Sequence, residues 1–331
     1  MPAQDPLVSI ALLTFNSASV IDATLDAIEA QTHPRVELLV LDNDSSDATT
    51  QRLRERAVDF EVSPRNVGFV RGMNQMFERA HGDYIVFLNA DCVLSPTFVA
   101  RAVETAGRCD ADVVGAHVIR IATDVSEDPT GPARLDGGRL GIGIDMRVRL
   151  VVPEPGEEPQ PAFKANGACP VVSMSLLKEL GDRYGHGPFA PIFETYGEDI
   201  DFCFRAAAAG ARTVYDPALA ASHVRSASSG AISARHKRGP MRVNMLAARH
   251  LNVHRHLRSS LRLVVVPVLW LQDGAVCLLQ ALSGDREIWR DLLAVRRQVR
   301  ERRAEVRAFR RQHKTWRGWS VRHARVARRV R

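Results

Sequence analysis

Cysteine, aromatic side chains and long apolar runs are all scarce here, and each scarcity removes a class of protein. The five cysteines, Cys92, Cys109, Cys169, Cys203 and Cys277, are odd in number, form no CxxC pair and sit among apolar neighbours. Such a pattern excludes a small disulfide-stapled scaffold and reads as buried thiols in a reducing compartment. The first residues, MPAQDPLVSIALLTF, contain no basic stretch and no long apolar segment. A secretory leader is therefore not expected, and residence in the cytoplasm is. The most apolar stretch, residues 261–282, is interrupted by Pro267, Gln272, Asp273 and Gly274. No uninterrupted span of about 18 to 20 apolar residues results, so a simple transmembrane helix is disfavoured. Two short apolar helices lying in an interface are expected instead. No internal repeat is visible.

What is present is length, alternation and a charge asymmetry. The 331 residues suffice for one large α/β domain with extensions or for two modest domains. The formal charge of +7 conceals seventeen Lys or Arg against five Asp or Glu between Asp285 and Arg331, a local +12 that leaves −5 for the preceding 284 residues.

The N-terminal half alternates short apolar runs with amphipathic stretches, the pattern of a sheet with helical crossovers. Strands are expected at Leu7 to Leu13, Val36 to Leu41, weakly around Phe60, at Tyr84 to Leu88, at Asp112 to Ala116 and at Arg212 to Tyr215. Helices are expected over Ser17 to Gln31, up to Arg56, over Phe69 to Ala80, from near Pro96, around Ser175 to Leu180, over Glu198 to Ala209 with Gly210 as its stop, and over Met241 to Arg258. Residues 126–161 are rich in Pro, Gly and charge and read as loops with short strands such as Arg147 to Val152.

Three polar clusters follow apolar runs: Thr14-Phe15-Asn16, Asp42 to Asp47, and Asn89-Ala90-Asp91. Singly, each is an ordinary turn or helix cap. Together they would line the carboxyl edge of a parallel sheet, where open α/β folds bind ligands. Asp91, just beyond a buried strand, offers a hard oxygen to Mg2+ or Mn2+ bridging a nucleotide diphosphate. Such a cation stabilises a departing diphosphate as a Lewis acid. Displacement at a sugar carbon also needs a base for the acceptor hydroxyl, and Glu198-Asp199 supplies candidates. Helix-dipole complementarity explains some of these acids, but not three carboxylates, Glu198, Asp199 and Asp201, crowded among Ile200, Phe202 and Phe204.

The segments VSIALLTFN, VLDNDSSDAT, NVGFVRGMNQ, YIVFLNAD and GEDIDFCFRAAAAGARTVYDPALAASH, in this order, resemble the successive motifs of family 2 glycosyltransferases of the GT-A fold. The resemblance runs over roughly residues 7–255 and is nearest to the rhamnosyltransferase-like bacterial enzymes of cell-surface polysaccharide synthesis. It implies a Rossmann-like α/β fold, with a mostly parallel mixed sheet flanked by helices and a helical C-terminal extension. It also implies an inverting, metal-dependent hexosyl transfer from a nucleotide-diphosphate sugar, with dTDP-rhamnose as the donor by resemblance only. Thr14, Phe15 and Asn16 would belong to the nucleotide pocket, Phe15 standing where Tyr is common, and Asp42 and Asp44 would contact base and ribose. Asn66, Gly68, Arg71 and Asn74 would lie along the donor, Gly68 permitting close backbone approach. Asn89 stands where the family's DxD motif has its first Asp, Asp91 would be the metal ligand and His223 would complete the metal site. Asp199 would be the base, with Glu198 shaping its surroundings, and Gly167 would lie near the acceptor and donor sugars.

Three regions are expected: a catalytic domain over 1–240, a helical, partly apolar membrane-proximal segment over 241–284 and a basic tail over 285–331. Pairing an apolar segment with a basic tail suits an anionic membrane surface, where each Lys or Arg contributes roughly 1 kcal/mol. A peripheral position on the inner face of the cell membrane, with a glycan or lipid-linked acceptor, follows. The competing occupants of residues 261–282 are the catalytic domain itself and a second copy of the chain. Nucleic acid is disfavoured, since Phe309, Trp316 and Trp319 are the tail's sparse ring systems between Arg296 and Arg331. A non-catalytic scaffold on the same fold would have no physical use for Asp91, Glu198 and Asp199 together. A nucleotidyltransferase would need a Gly-rich loop with Arg and Lys after the first strand, and LTFNSAS has neither.

Overall fold

The structure is a computed structural model describing residues 4–120, 134–143, 147–151, 158–224, 239–285 and 287–313. Much of the expected flap within 126–161, and residues 314–331 with Trp316 and Trp319, lie outside the described residues.

The N-terminal half alternates as its sequence pattern requires. β1 (Val8–Thr14) leads to α1 (Ile21–Glu29), β2 (Val36–Asp42) to α2 (Thr49–Glu55), β3 (Glu61–Val62) to α3 (Phe69–Arg79). β4 (Tyr84–Asn89) is followed by β5 (Cys92–Leu94), α4 (Phe98–Cys109) and β6 (Val113–Arg120). β1 runs parallel to both β2 and β4, so the sheet order β3-β2-β1-β4 places Thr14, Asp42 and Asn89 at one carboxyl edge. Chain direction from β1 goes one way to β2 and later the other way to β4, which opens a crevice at that edge. Gly72 of α3 lets that helix close on β1, since an added Cβ would stand 2.6 Å from Leu13 Cδ1.

Five short strands follow: β7 (Arg134–Gly137), β8 (Leu140–Ile142), β9 (Val148–Leu150), β10 (Gln160–Pro161) and β11 (Val171–Ser173). β11 inserts antiparallel between β4 and β6, while β8 and β9 form a separate two-stranded sheet. After α5 (Met174–Tyr184) and α6 (Glu198–Ala209), β12 (Thr213–His223) runs parallel to β6 and antiparallel to β5. β12 thus extends well past the expected end at Tyr215, and this extension carries His223 back to Cys92, beside Asp91. The strands are buried on both faces: one apolar cluster lies under α1 and α4 and another under α3, α5 and α6. Four of the five cysteines are buried thiols and Cys109 is half-buried.

The C-terminal third is helical: α7 (Gly239–His256), α8 (Ser259–Leu282), α9 (Ile288–Glu301) and α10 (Arg303–Gln312). Two expectations change here. Residues 261–282 form one continuous helix containing Pro267, not two short ones. The intrahelical bond that proline removes is the one to the carbonyl of Leu263, and both residues are exposed, so the helix tolerates the loss there. Residues 287–313, expected within a basic tail, fold back as α9 and α10, with Val295 and Val299 against Ala247 and Phe309 against Tyr184. Arg310 Nη1 donates to the carbonyls of His254 and Leu257 at 3.0 and 2.8 Å, so this tail arginine caps the end of α7.

Candidate active site

The first two polar loops are locked to each other. The Asp42 carboxylate accepts from Thr14 Oγ1 at 2.9 Å, Ser45 Oγ at 2.6 Å and the Ser45 amide at 2.9 Å. Asp42 is 0% exposed, so of the pair expected to contact base and ribose only Asp44 opens on the crevice, at φ +66°. Asn16, also in the left-handed region, accepts from the Ser46 amide at 2.9 Å, and Phe15 is exposed above the loop. A third clasp joins in: Asn43 Nδ2 donates to Asn66 Oδ1 at 2.9 Å, and the Val67 amide donates back to Asn43 Oδ1 at 2.8 Å. Asn43 had no role in the sequence reading, and its position inside the DNDSSD run gives no local signal of a partner 23 residues on.

Gly68 precedes α3 at φ +81°, a backbone state suited to glycine. Arg71 projects from the first turn of α3 and is exposed. Asn74 is committed elsewhere than along the crevice: its amide spans the backbone of Phe189, donating at 2.8 Å and accepting at 3.0 Å. It therefore fixes the loop before α6.

At the end of β4, Asp91 Oδ1 lies 3.0 Å from His223 Nε2, with side-chain exposures of 18% and 12%. Val224 N donates to the Asp91 carbonyl at 2.8 Å, so β12 clamps the turn that presents the carboxylate. Among the described residues no group of three or more His, Cys, Asp or Glu forms a metal cage. One hard oxygen and one imidazole suit an ion that completes its shell with phosphate oxygens and water.

Residues 164–168 bridge this point to α6. The Asn89 amide donates to the Ala168 carbonyl at 2.9 Å, Asn166 Oδ1 accepts from the Ala168 amide at 2.7 Å, and a Cβ on Gly167 would stand 3.3 Å from Asp199 Oδ2. Asp199 Oδ2 in turn lies 2.6 Å from Lys164 Nζ. Lys164 was not singled out in the sequence, because nothing in FKANGA announces a partner 35 residues away. Beside them Glu198 is buried, and burial first, then the charge of Asp199, pushes its carboxyl up to about 8. At neutral pH Glu198 holds its proton while Asp199 forms the ion pair.

Asp201, one helical face away, does different work. Its carboxylate receives Arg205 Nε, Arg255 Nε and His256 Nε2, each at 2.7 Å, and all four side chains are buried. Burial alone would raise its pKa; Arg255, Arg205 and the His256 hydrogen bond overturn that and hold it well below the usual carboxylate range. Gly197, φ +84°, lets α7 press on the start of α6, with a Cβ there 2.6 Å from Ala248 Cβ and Asn252 Nδ2 donating to its carbonyl at 3.0 Å. The helix that carries Glu198 and Asp199 is thereby bolted to the C-terminal arm.

Comparison with known proteins finds glycosyltransferases. Residues 9–153 match the profile of the family described as Glycosyl transferase family 2. Glycosyltransferase AglE of Haloferax volcanii is 29% identical over 120 residues, covering 34% of this chain and 40% of the relative. The N-acetylglucosaminyl-diphospho-decaprenol L-rhamnosyltransferase of Mycobacterium tuberculosis is 24% identical over 296 residues, covering 76% of this chain and 94% of the relative. The crystal structure of GalNAc-T7 with UDP, GalNAc and Mn2+ superposes with a TM-score of 0.61 at 16% identity, covering 78% of this chain and 49% of that one. The match to the Haloferax protein thus spans less than half of its length. The structural likeness establishes the shared GT-A architecture, a mixed sheet between helices.

Proposed function

We propose, from the premise that residues 9–153 are a family 2 glycosyl transferase domain, that the chain is an inverting, metal-dependent glycosyltransferase. The observation that carries this reading is the bridge 164–168, which ties the end of β4, where Asp91 meets His223 of β12, to Asp199 at the start of α6. Phe15, Asn16, Asp44, Gly68 and Arg71 receive the nucleotide diphosphate, while Thr14, Asp42, Asn43, Asn66 and Asn74 hold their loops in place. Asp91 and His223 would hold a divalent cation, which when bound would supply Lewis-acid stabilisation to a diphosphate leaving group. Asp199 takes the proton of an acceptor hydroxyl as that oxygen bonds to C1 of the sugar. The C1–O bond to the diphosphate breaks, its electron pair leaves with the phosphate oxygen, and the configuration at C1 inverts.

The name of the Mycobacterium relative supports a rhamnosyl donor and a lipid-diphosphate-linked acceptor, and hence work at the inner face of the membrane. α8 supports the same placement. It is the single helix among the described residues long and apolar enough to cross a bilayer. Yet Val265, Leu269, Asp273 and Cys277 form a stripe fixed to the protein, with Asp273 on His250 at 2.7 Å and Arg249 at 3.1 Å. Leu263, Leu271 and Leu282 are 79%, 74% and 78% exposed on the other faces. A helix so held lies along a bilayer surface and does not cross it. The test is a panel of nucleotide sugars assayed with Mn2+ or Mg2+ and with EDTA. Metal-dependent consumption of one donor, dTDP-rhamnose first, is expected, and a folded protein that consumes none contradicts the reading.

A further inference from the structure

Only four of the 45 cationic residues are lysine. The buried or half-buried carboxylates of Asp201, Asp216, Asp273, Asp285 and Asp291 are all met by arginine. Asp199 is instead met by a lysine. Its partner Lys164 is 4% exposed, with Nζ 2.6 Å from Asp199 Oδ2 and 3.0 Å from the Ala165 carbonyl. The lysine backbone is pinned by a bridge to Leu140, whose carbonyl accepts both the Phe163 and Lys164 amides at 3.2 Å. On the carboxylate's other side, Asp199 Oδ1 accepts the Ile200 amide at 2.8 Å. Asp199 is therefore gripped through both oxygens while remaining 31% exposed.

Resting on the glycosyl-transfer reading above, we infer that Lys164 is a positioning residue: it assigns the negative charge of the adjacent Glu198 and Asp199 to Asp199 and aims Oδ2 at the acceptor hydroxyl. Two neighbouring carboxyls do not both ionise readily in a buried setting. Glu198 is buried and its Oε2 has no hydrogen-bond partner among the described residues, whereas Asp199 has the ammonium. Other charged or titratable groups near the pair are already spent. Asp201 is neutralised by Arg205 and Arg255, burial pushes His256 down to about 4 so that it donates as a neutral ring, and burial pushes the Cys203 thiol up to about 12. Burial lowers the Lys164 pKa, but Asp199 outweighs that and the net shift is upward, so the ammonium persists. A lysine, as a compact point charge, engages one oxygen and leaves lone pairs for an incoming hydroxyl; a guanidinium would fork across both.

The experiment compares the full-length protein with Lys164→Met, Lys164→Arg, Asp199→Asn and the Lys164→Met/Asp199→Asn double variant. The probe is dTDP-rhamnose with Mn2+, or the donor found by the panel. In Lys164→Met, donor affinity stays within about twofold, kcat falls by about 10- to 100-fold, and the acidic limb of the pH–rate profile moves up by about one unit. In the Asp199→Asn background the same change has no further effect on kcat. Lys164→Arg keeps the wild-type acidic limb but a lower kcat, and it carries the test if Lys164→Met does not fold. An unmoved limb in Lys164→Met, a moved one in Lys164→Arg, or additive losses in the double variant overturn the inference. Wild-type turnover by Asp199→Asn instead overturns the base assignment itself, whatever Lys164 does.

Discussion

The crevice at the ends of β1, β2 and β4 and the helical arm α7 to α10 are held by different forces. In the crevice, loops clasp one another through hydroxyl, amide and backbone groups: Thr14 and Ser45 on Asp42, Asn43 on Asn66, Ser46 on Asn16. In the arm, the joints are buried ion pairs. Asp201 fastens α6 to α7, Asp273 fastens α7 to α8, and Arg242 joins α7 to Asp285 and to Asp291 of α9. Each clasp is weak and redundant, and Ser46 and Asn66 stay exposed at the rim. Breaking one partner of a buried pair strands an uncompensated charge, which is far more costly. The difference suits a ligand-binding edge on one side and a rigid strut on the other. The strut reaches the proposed base directly, because Asp201 lies two positions from Asp199.

The largest expected effect follows from that contrast. Asp201→Asn should destabilise the protein by about 3–5 kcal/mol in urea unfolding, since Arg205 and Arg255 lose their counter-charge while buried. Asp42→Asn should cost only about 1–2 kcal/mol, the scale of a lost charged hydrogen bond. Equal losses would erase the distinction between the two regions.

Acid should separate them next. His256 is held at about 4 in the folded state, below the ordinary histidine value of 6.5. A group depressed on folding contributes its full share of stability above the unfolded value and loses it as pH falls through the folded one. The arm should therefore loosen between pH 6.5 and 4, by roughly 2–3 kcal/mol from this residue, at about 1.4 kcal/mol per pKa unit. Asp201, depressed well below the usual carboxylate range, yields only at lower pH still. Amide exchange over residues 239–313 should accelerate in that window while β1, β2 and β4 stay protected. Uniform acceleration would contradict the separate fastening of the arm.

The smallest effect concerns the outer face of α8. Because Leu263 and Leu271 are exposed, replacing both by Glu should leave stability within about 0.5 kcal/mol. Binding to anionic liposomes at low salt should nevertheless drop by about tenfold. Wild-type protein that floats free of such liposomes would remove the membrane from the proposal.

The same contrast explains what was legible in the sequence. Strand-ending polar clusters are local patterns, and α6 runs over Glu198–Ala209 up to Gly210 as its spacing required. The pairing of Asp91 with His223 was anticipated only through the family resemblance. Asn43, Lys164 and the Asp201 hub were not assigned, because their partners stand 23, 35 and 54 residues away and no periodicity encodes such contacts. The short strands β5 and β11 were missed for a related reason: three residues are too few to show alternation, and sheet neighbours make them strands. α8 was expected as two short helices because Pro267, Gln272, Asp273 and Gly274 interrupt its apolar run, yet the cost of a proline in a helix interior is lessened at an exposed position.

The most direct measurement sets Asp91→Ala against Asp199→Asn, following Mn2+-dependent donor binding by calorimetry and sugar transfer by product formation. Binding lost in Asp91→Ala but retained in Asp199→Asn, with transfer cut to a residual rate in both, is the predicted result. Undiminished transfer by Asp199→Asn, or metal-dependent binding that survives Asp91→Ala, would contradict the two-part site.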